Sequence, residues 1–212
     1  LVDDRLDLMD VPGGWDIKTP EQVVMRSWPE VNGEKAMWET CQTFSGSWGY
    51  YRDEKTWKSD EQLIVMLIDT VSKGGNLLLN VGPTSRGQFD YRAQDRLSAM
   101  GEWMDLHERA IRGCTQAPGE FVCPQDCRLT WNPKTRRLYV HVLEWPFKTL
   151  YVDGLGDKVR YAQLLNDGSE ILMDKIDHFE EKYMGDQPET TLRLKLPTEK
   201  PPVTVPVIEL IL

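Results

Sequence analysis

The feature that most constrains the fold is a short apolar run at residues 76–81, which reads Asn-Leu-Leu-Leu-Asn-Val. Three consecutive leucines cannot all face one side of a strand, so the run predicts a parallel strand buried on both faces. Ser59 opens a capping-box pattern that predicts a helix over 59–73, and Asp90 precedes a second helical pattern over 91–112. The order of helix, buried strand, Gly-Pro loop and helix predicts a β/α unit.

The chain after residue 113 has a different pattern, in which short segments of alternating polarity replace helical spacing. Turn signals of the Asn-Pro, Asp-Gly and Asn-Asp-Gly kind separate these segments. The predicted strands span residues 137–143, 149–152, 159–165, 191–196 and 205–212. This spacing predicts an antiparallel β-sandwich. We therefore predict two domains, an α/β domain over 1–114 and a β-sandwich over 120–212, with a linker at 115–119.

Composition excludes several classes of function. Hydrophobic residues make up 40% and charged residues 28% of the chain, which is the balance of a folded globular protein. The net charge of −9 argues against nucleic acid and anionic membranes as partners, because both are bound with an excess of Lys and Arg. No apolar run approaches the roughly 20 residues that span a bilayer. The chain starts at Leu1 without a signal-peptide pattern, so we expect no targeting segment and treat the chain as the C-terminal part of a longer protein.

The potential metal ligands are scattered. His107, His141 and His178 have no metal-ligand spacing, and the four cysteines lack the paired spacing of a structural zinc site. We assign no role to the histidines, and we expect no metal site and no cofactor.

Candidate chemistry lies at the predicted strand ends of the α/β part, where parallel sheets place their functional groups. Residues 3–5, 38–51 and 80–83 are such segments, and six of the eight tryptophans lie within the first 113 residues. An indole ring packs on the apolar face of a sugar, and beside a carboxyl group it excludes water and raises the carboxyl pKa. The pattern indicates a sugar site, and the alternative that the tryptophans serve only packing stays open.

Three segments, in this order, resemble a known family. They are residues 38–41 (Trp-Glu-Thr-Cys), 47–50 (Ser-Trp-Gly-Tyr) and 72–83 (Ser-Lys-Gly-Gly-Asn-Leu-Leu-Leu-Asn-Val-Gly-Pro). Together they resemble the glycoside hydrolase family 29 α-L-fucosidases. The resemblance covers about residues 1–113, and the rest of the chain is similar to the C-terminal β-sandwich of that family in pattern only.

Two shorter stretches near the start also resemble this family. Residues 4–5 (Asp-Arg) and 19–21 (Thr-Pro-Glu) look like the Asn-Asp-Arg-Trp and Thr-Pro-Glu stretches of the family. The first stretch departs from the family pattern, because Asp3 stands in place of Asn and Leu6 in place of Trp.

The resemblance implies both a fold and a reaction. The fold would be the last part of a (β/α)8-like, TIM-type barrel over 1–114, followed by an antiparallel β-sandwich over 120–212. The reaction would be removal of terminal α-L-fucose from glycans by a retaining exo-glycosidase, whose double displacement needs two carboxyl groups about 5–5.5 Å apart. In this family the nucleophile is an aspartate on a strand before the Asp-Arg motif. No residue here matches it, and Asp3 and Asp4 align with the later motif, so we expect the nucleophile upstream of this chain.

The same resemblance suggests roles for four residues. Glu21 is the candidate acid/base, because it occupies the Thr-Pro-Glu position that supplies this carboxyl in some members, and Glu39 is the runner-up. An alternative interpretation of Glu21 is a residue in the first turn of a short surface helix. Arg5 is the candidate that orients a catalytic carboxyl or reaches a sugar oxygen, with a structural salt bridge as the alternative. Trp48 matches the aromatic wall that receives the C5 methyl of fucose.

The expected partners are a fucosylated glycan or fucoside substrate and the upstream N-terminal part of the same enzyme, and we also expect a homo-oligomer. Two other functions remain open. One is a non-catalytic carbohydrate-binding protein, in which Trp131 and Trp145 of the sandwich bind the sugar. The other is an inactive fragment of a split or truncated enzyme.

Overall fold

The computed structural model describes residues 1–6, 8, 11, 13–176, 182–183 and 190–212. Its contacts divide the chain into two compact units, Leu1–Asp105 and Leu106–Leu212. The domain limits 1–114 and 120–212 stay a prediction, and His178 lies outside the described residues. In the described part of the chain, no helix combines the length and the apolar character that a membrane span requires.

The first unit contains parallel strands followed by helices. Its elements are β1 (Ile17–Lys18), β2 (Glu30–Val31), β3 (Glu34–Lys35), β4 (Met37–Thr43), α1 (Asp60–Ser72), β5 (Asn76–Asn80) and α2 (Tyr91–His107), the last of which ends just beyond the unit. Strands β1, β4 and β5 form a parallel sheet in that order, and β2 and β3 form a hairpin. The predicted β/α unit is therefore present.

Helix α1 begins where the capping-box pattern predicts. The Ser59 hydroxyl accepts a hydrogen bond from the Gln62 N–H at 3.1 Å, and the Gln62 side chain accepts one from the Ser59 N–H at 2.8 Å. These two bonds satisfy N–H groups that the first turn of a helix leaves open. The helix ends before Gly74, whose φ of +74° is a backbone conformation that suits glycine.

Strand β5 is parallel to β4, as predicted, but the prediction that it is buried on both faces is wrong. Leu77 and Leu79 are half-buried, whereas 49% of the surface of Leu78 is exposed. Leu78 pairs with Cys41 of β4, and the alternation of side chains places both on the same face of the sheet. Cys41 lines an open cavity, and the same face carries the polar residues Glu39, Asn76 and Asn80, so this face is accessible to solvent.

Helix α2 is shorter than the 91–112 prediction. Its regular part ends at His107 and continues as a 3-10 turn over Glu108–Ala110, a common way for a helix to tighten at its C-terminal end. Asp90 caps its start as predicted, because the Asp90 carboxylate accepts a hydrogen bond from the Arg92 N–H at 2.9 Å.

The second unit consists mainly of antiparallel strands. They are β6 (Thr115–Gln116), β7 (Cys127–Asn132), β8 (Arg137–Val142), β9 (Thr149–Val152), β10 (Tyr161–Leu164), β11 (Leu172–Lys175), β12 (Leu192–Lys195) and β13 (Val207–Ile211). One sheet has the order β10-β13-β8-β7-β6 and the other has the order β11-β12-β9. Both sheets contribute alternate apolar residues to one core. The five predicted strands are confirmed, whereas residues 115–116 pair with β7 instead of forming a linker.

Candidate functional site

One open cavity in the first unit, with a volume of about 410 Å³, collects the residues that the sequence singled out. Arg5, Glu21 and Trp48 line it together with Thr19 and Cys41. These residues come from four separate stretches of the chain, the first of which contains Arg5 and precedes β1. Thr19 and Glu21 follow β1, Cys41 lies in β4, and Trp48 lies on the loop after β4.

The parallel sheet places Glu21 at the carboxyl end of its strands. The backbone around Glu21 pairs with Cys41, because Cys41 N–H donates to the Pro20 carbonyl at 3.0 Å and Gln22 N–H donates to the Cys41 carbonyl at 2.9 Å. Glu21 is therefore in an extended segment beside β4, and the alternative interpretation that it starts a short helix is wrong. The carboxyl ends of parallel strands are where such folds place functional groups.

The Arg5 and Glu21 side chains form an ion pair at the cavity, in which Nη2 of Arg5 contacts Oε2 of Glu21. Their side chains are 45% and 38% exposed, so solvent reaches the pair. Within the described part of the chain, Glu21 is the one carboxylate among the residues that line this cavity. An ion pair of this kind fixes the orientation of the carboxylate more than it stabilises the fold.

The turn that carries Arg5 is held by the two preceding aspartates. Asp3 accepts hydrogen bonds from the Arg5 N–H and the Thr19 hydroxyl, both at 2.8 Å, and Asp4 accepts one from the Thr19 N–H at 2.8 Å. Burial opposes ionisation of Asp3, but these hydrogen bonds outweigh it and hold the Asp3 pKa below its usual value. Asp4 is almost fully buried and lies 3.5 Å from the Lys18 ammonium. Both aspartates thus anchor the turn and neither lines the cavity.

Trp48 is positioned by strand β5. The Asn80 side-chain amide donates a hydrogen bond to the Trp48 carbonyl at 2.6 Å, which ties the loop to the end of the strand. Gly82 lies two residues after Asn80 and packs against the backbone of the same loop, because a Cβ atom at this position would lie 2.5 Å from the Tyr50 nitrogen. Only glycine permits the loop to approach so closely. With 40% of its surface exposed, the Trp48 ring is available to a ligand.

The far side of this loop is held by Glu54. Its carboxylate accepts hydrogen bonds from the Ser47 hydroxyl at 2.6 Å and from the Thr56 hydroxyl at 2.7 Å. These bonds lower the pKa of Glu54 to about 2, so the carboxylate is ionised at neutral pH. Arg92 of α2 donates to the Glu54 carbonyl at 2.9 Å. The loop that carries Trp48 is therefore fixed at several points.

Cys41 is a cavity residue that sequence reasoning missed. Burial raises the pKa of its thiol, the charges of Glu21 and Glu39 raise it further, and Arg5 acts in the opposite direction. The thiol thus stays protonated at neutral pH. Cys41 lies two residues after Glu39 in β4, and the alternation of side chains along a strand places both on one face. Glu39 itself does not line the cavity, because it lies two residues further from the carboxyl end of β4.

Other candidate ligands lie apart from this cavity. Over the residues that the structure describes, no group of three His, Cys, Asp or Glu side chains is placed to hold a metal ion. His107 and His141 are buried in the second unit. Burial, and to a smaller extent the neighbouring His107, lowers the pKa of His141 to about 3, so this imidazole is neutral at physiological pH.

The two tryptophans of the sandwich are used in packing. The ring of Trp131 contacts the ring of Phe121 edge to face, with centroids 6.1 Å apart, and the Trp145 indole N–H donates to the Pro197 carbonyl at 3.0 Å. Both rings pack against the sandwich core. The two rings are not paired as an open platform for a sugar.

Comparison with known proteins gives consistent matches. A family model described as alpha-L-fucosidase matches residues 1–109. Plasma alpha-L-fucosidase from Pongo abelii is 38% identical over 114 residues, which are 51% of this chain and 24% of that protein. The protein of the same name from Homo sapiens is 37% identical over 114 residues, with the same coverage. The chain thus spans about a quarter of the length of these curated relatives.

Solved structures match nearly the whole chain. Alpha-L-fucosidase isoenzyme 1 from Paenibacillus thiaminolyticus has a TM-score of 0.83 and 31% identity, covering 93% of this chain and 45% of that chain. The Thermotoga maritima alpha-fucosidase in complex with a mechanism-based inhibitor has a TM-score of 0.70 and 26% identity. This match covers 93% of this chain and 43% of that chain. These matches confirm the predicted fold, the last part of a (β/α)8-like barrel followed by an antiparallel β-sandwich.

Proposed function

Because the chain belongs to the α-L-fucosidase family, we propose that it supplies the acid/base part of a retaining α-L-fucosidase active site. The complete enzyme removes terminal α-L-fucose from glycans by double displacement. The observation that carries the proposal is the cavity in which Glu21, Arg5 and Trp48 meet, inside the region matched by the family model.

In the proposed mechanism, Glu21 acts twice. As a general acid it protonates the leaving oxygen in the first step, and as a general base it deprotonates the attacking water in the second. Arg5 contacts only Oε2 of Glu21, and Oε1 has no hydrogen-bond partner among the described residues. The unpaired oxygen supports this role, because it is available to exchange a proton with the leaving group and with water.

The second carboxyl group comes from outside this chain in our proposal. A retaining glycosidase needs two carboxyl groups about 5–5.5 Å apart, whereas the described lining of the cavity contains one. We propose that the upstream part of the barrel contributes an aspartate nucleophile and is thus an obligatory partner. The inactive-fragment alternative also predicts that the chain alone is inactive. It differs because it predicts no activity for the chain joined to its upstream segment.

Trp48 is the proposed determinant of sugar identity. Fucose carries a methyl group at C5 where galactose carries a hydroxymethyl group, and an exposed indole beside Glu21 favours burial of that methyl. Glu39 remains the alternative acid/base, since it lies near enough to influence the Cys41 thiol. The proposed enzyme uses no cofactor and assembles as a homo-oligomer.

The test compares the 212-residue chain with the same chain joined to its upstream segment. We expect the complete enzyme to cleave aryl α-L-fucosides, with NMR of the first product showing the α-anomer, and the isolated chain to be inactive. Substantial turnover by the isolated chain would contradict the upstream nucleophile. A β-anomer as first product would contradict the retaining mechanism, and an inactive complete enzyme would favour the inactive-fragment alternative.

A further inference from the structure

The five-stranded sheet of the second unit has one apolar face and one largely polar face. Alternate residues of β7, β8, β10 and β13 contribute apolar side chains to the sandwich core. Most of the residues between them are polar or charged, and the apolar exceptions are Val207 and Ile211 of β13. The polar ones include Thr130, Asn132, Arg137, Tyr139, His141, Gln163 and Glu209. Several of these polar side chains are buried. A buried polar group needs a hydrogen-bond partner, because it has lost its contact with water.

A cavity of about 300 Å³ opens at one end of this polar face, all of its described lining lying within the second unit. Three arginines line it from separate stretches of the chain. Arg109 lies in the 3-10 turn, Arg112 follows that turn, and Arg137 begins β8. In a chain of net charge −9, three guanidinium groups around one cavity make a local positive site.

Two of these positive charges have carboxylate partners. Arg109 lies 3.7 Å from the buried carboxylate of Glu209, and Arg112 lies 3.1 Å from the exposed carboxylate of Glu108. Glu209 also accepts hydrogen bonds from the Tyr139 hydroxyl at 3.3 Å and the Gln163 amide at 2.6 Å. The carboxylates that line the cavity are therefore matched to Arg109 and Arg112.

Arg137 is the third arginine of the cavity, and neither of these two carboxylates pairs with it. Its Nη1 atom is sealed from solvent and has no hydrogen-bond partner among the described residues. A guanidinium stays charged in proteins, so this donor cannot be relieved by losing a proton. A buried charged donor without a partner is costly, and a small rotation of the Arg137 guanidinium into the cavity that it lines would allow an oxyanion to supply one.

The uncharged lining adds further donors. The Asn132 side-chain oxygen accepts hydrogen bonds from the Lys134 and Thr135 N–H groups at 3.1 and 3.2 Å, which fixes the orientation of this amide. Its Nδ2 is left as a donor without a partner among the described residues, and the Thr135 hydroxyl lines the same cavity. The site thus presents guanidinium groups for an oxyanion and amide and hydroxyl groups for the hydroxyls of a ligand.

We propose that this cavity binds an acidic sugar, a single sugar ring that carries a carboxylate or sulfate group. The oxyanion pairs with Arg137 and its neighbours Arg109 and Arg112, and the ring hydroxyls bond to Asn132 and Thr135. The cavity volume lies at the small end of the range for ligand sites, which suits one ring and not an extended glycan. The site is independent of the cavity that contains Glu21.

The test is a titration of the 212-residue chain with sodium glucuronate, methyl glucoside and sodium sulfate at constant ionic strength, followed by the Nε–H resonances of arginine in NMR spectra. We expect saturable binding of glucuronate that shifts the resonances of Arg109, Arg112 and Arg137, and no saturable binding of the neutral glucoside. Arg137→Gln should weaken glucuronate binding at least tenfold.

The matched control is Arg136→Gln, which makes the same charge change at the neighbouring exposed position outside the cavity. It should leave the affinity within twofold. If Arg137→Gln does not fold, Arg112→Gln at the exposed rim takes its place, and we expect it to weaken glucuronate binding at least threefold. No glucuronate binding, sulfate binding alone, equal binding of the neutral glucoside, or equal loss in Arg136→Gln would each overturn the proposal.

Discussion

At the scale of single residues, the Arg5–Glu21 ion pair is the central feature of the candidate site. Both side chains are partly exposed, and exposed ion pairs contribute on the order of 1 kcal/mol or less to stability. The contact is therefore better explained by the orientation of the Glu21 carboxylate. Arg5 is itself held by the turn that Asp3 and Asp4 anchor to Thr19, so the orientation has a rigid support.

Replacement of Glu21 in the complete enzyme tests its proposed role. Glu21→Ala should lose activity steeply on natural fucosides and less on aryl fucosides, because a good leaving group needs little protonation. Azide should restore turnover, since it attacks without deprotonation, and two inversions should give the α-fucosyl azide. Steady-state kinetics over a series of leaving groups and NMR of the product measure both effects.

Glu39→Ala is the matched control, because it removes a second carboxylate that lies near Cys41 but does not line the cavity. We expect it to show neither leaving-group dependence nor rescue by azide. If Glu39→Ala shows both effects while Glu21→Ala keeps near-normal activity on natural substrates, the acid/base role belongs to Glu39.

Trp48 should affect sugar identity more than the chemical step. Trp48→Ala in the complete enzyme should weaken fucoside binding by about 1–3 kcal/mol and narrow the preference for fucosides over galactosides. The ratio of kcat/KM for the two sugars is the measurement. Tyr51→Ala removes another exposed aromatic ring from the same loop, outside the cavity, and should leave this ratio unchanged. An unchanged ratio for Trp48→Ala would contradict a methyl-binding wall.

At the scale of secondary-structure elements, strand β5 supports the loop that carries Trp48. Asn80→Ala removes the amide that donates to the Trp48 carbonyl, so it should narrow the sugar preference in the same direction as Trp48→Ala, though less. A double-mutant cycle of the two changes should show coupling, because Asn80 is expected to affect sugar preference only through the position of the Trp48 ring, which Trp48→Ala removes. Additive effects would indicate that Asn80 does not position Trp48.

The capping box of α1 provides a stability test at the same scale. Ser59→Ala removes the hydroxyl that accepts from the Gln62 N–H and should destabilise the chain by about 1 kcal/mol in urea unfolding. Ser98 lies at an exposed position inside α2, and Ser98→Ala is the control, for which no loss of stability is expected. Equal losses in the two variants would show that the cap contributes nothing specific.

At the scale of the whole molecule, His141 makes stability depend on pH. Its pKa of about 3 in the folded chain lies below the unfolded value of about 6.5, so below pH 6.5 the unfolded state binds a proton that the folded state does not. The free energy of unfolding is therefore unaffected by protonation of His141 above pH 6.5. As the pH falls from 6.5 toward 3, it decreases by about 1.4 kcal/mol per pH unit.

Urea unfolding between pH 6.5 and 4.5 measures this effect. Hydrogen bonds from Arg193 lower the pKa of Asp174 to about 2, so this carboxylate influences stability mainly below pH 4, outside the chosen range. His141→Gln should flatten the decline by removing the titrating group. A wild-type chain of constant stability over this range would contradict the prediction.

Much of the fold could be predicted from the sequence because its signals are local. A capping box, a Gly-Pro loop and alternating polarity act over a few residues, and they correctly located α1, β5 and five strands of the sandwich. In the sandwich, strands β6, β7 and β11 were missed. In β7, Cys127–Asn132, polar Arg128 and Thr130 alternate with Leu129 and Trp131, a period-two pattern that the sequence analysis did not use.

By itself, the sequence determined the spacing of apolar residues in each segment and the cap of α1. It also determined the motifs that mark Arg5, Glu21 and Trp48 as candidate site residues. Tertiary structure alone decided that these three side chains share a cavity with Cys41, that Leu78 stays exposed, and that Arg137 lies with Arg109 and Arg112. The physical reason is separation along the chain. Periodicity fixes which face a residue takes within its own element, whereas contacts between distant residues depend on strand order, register and the packing that covers each face.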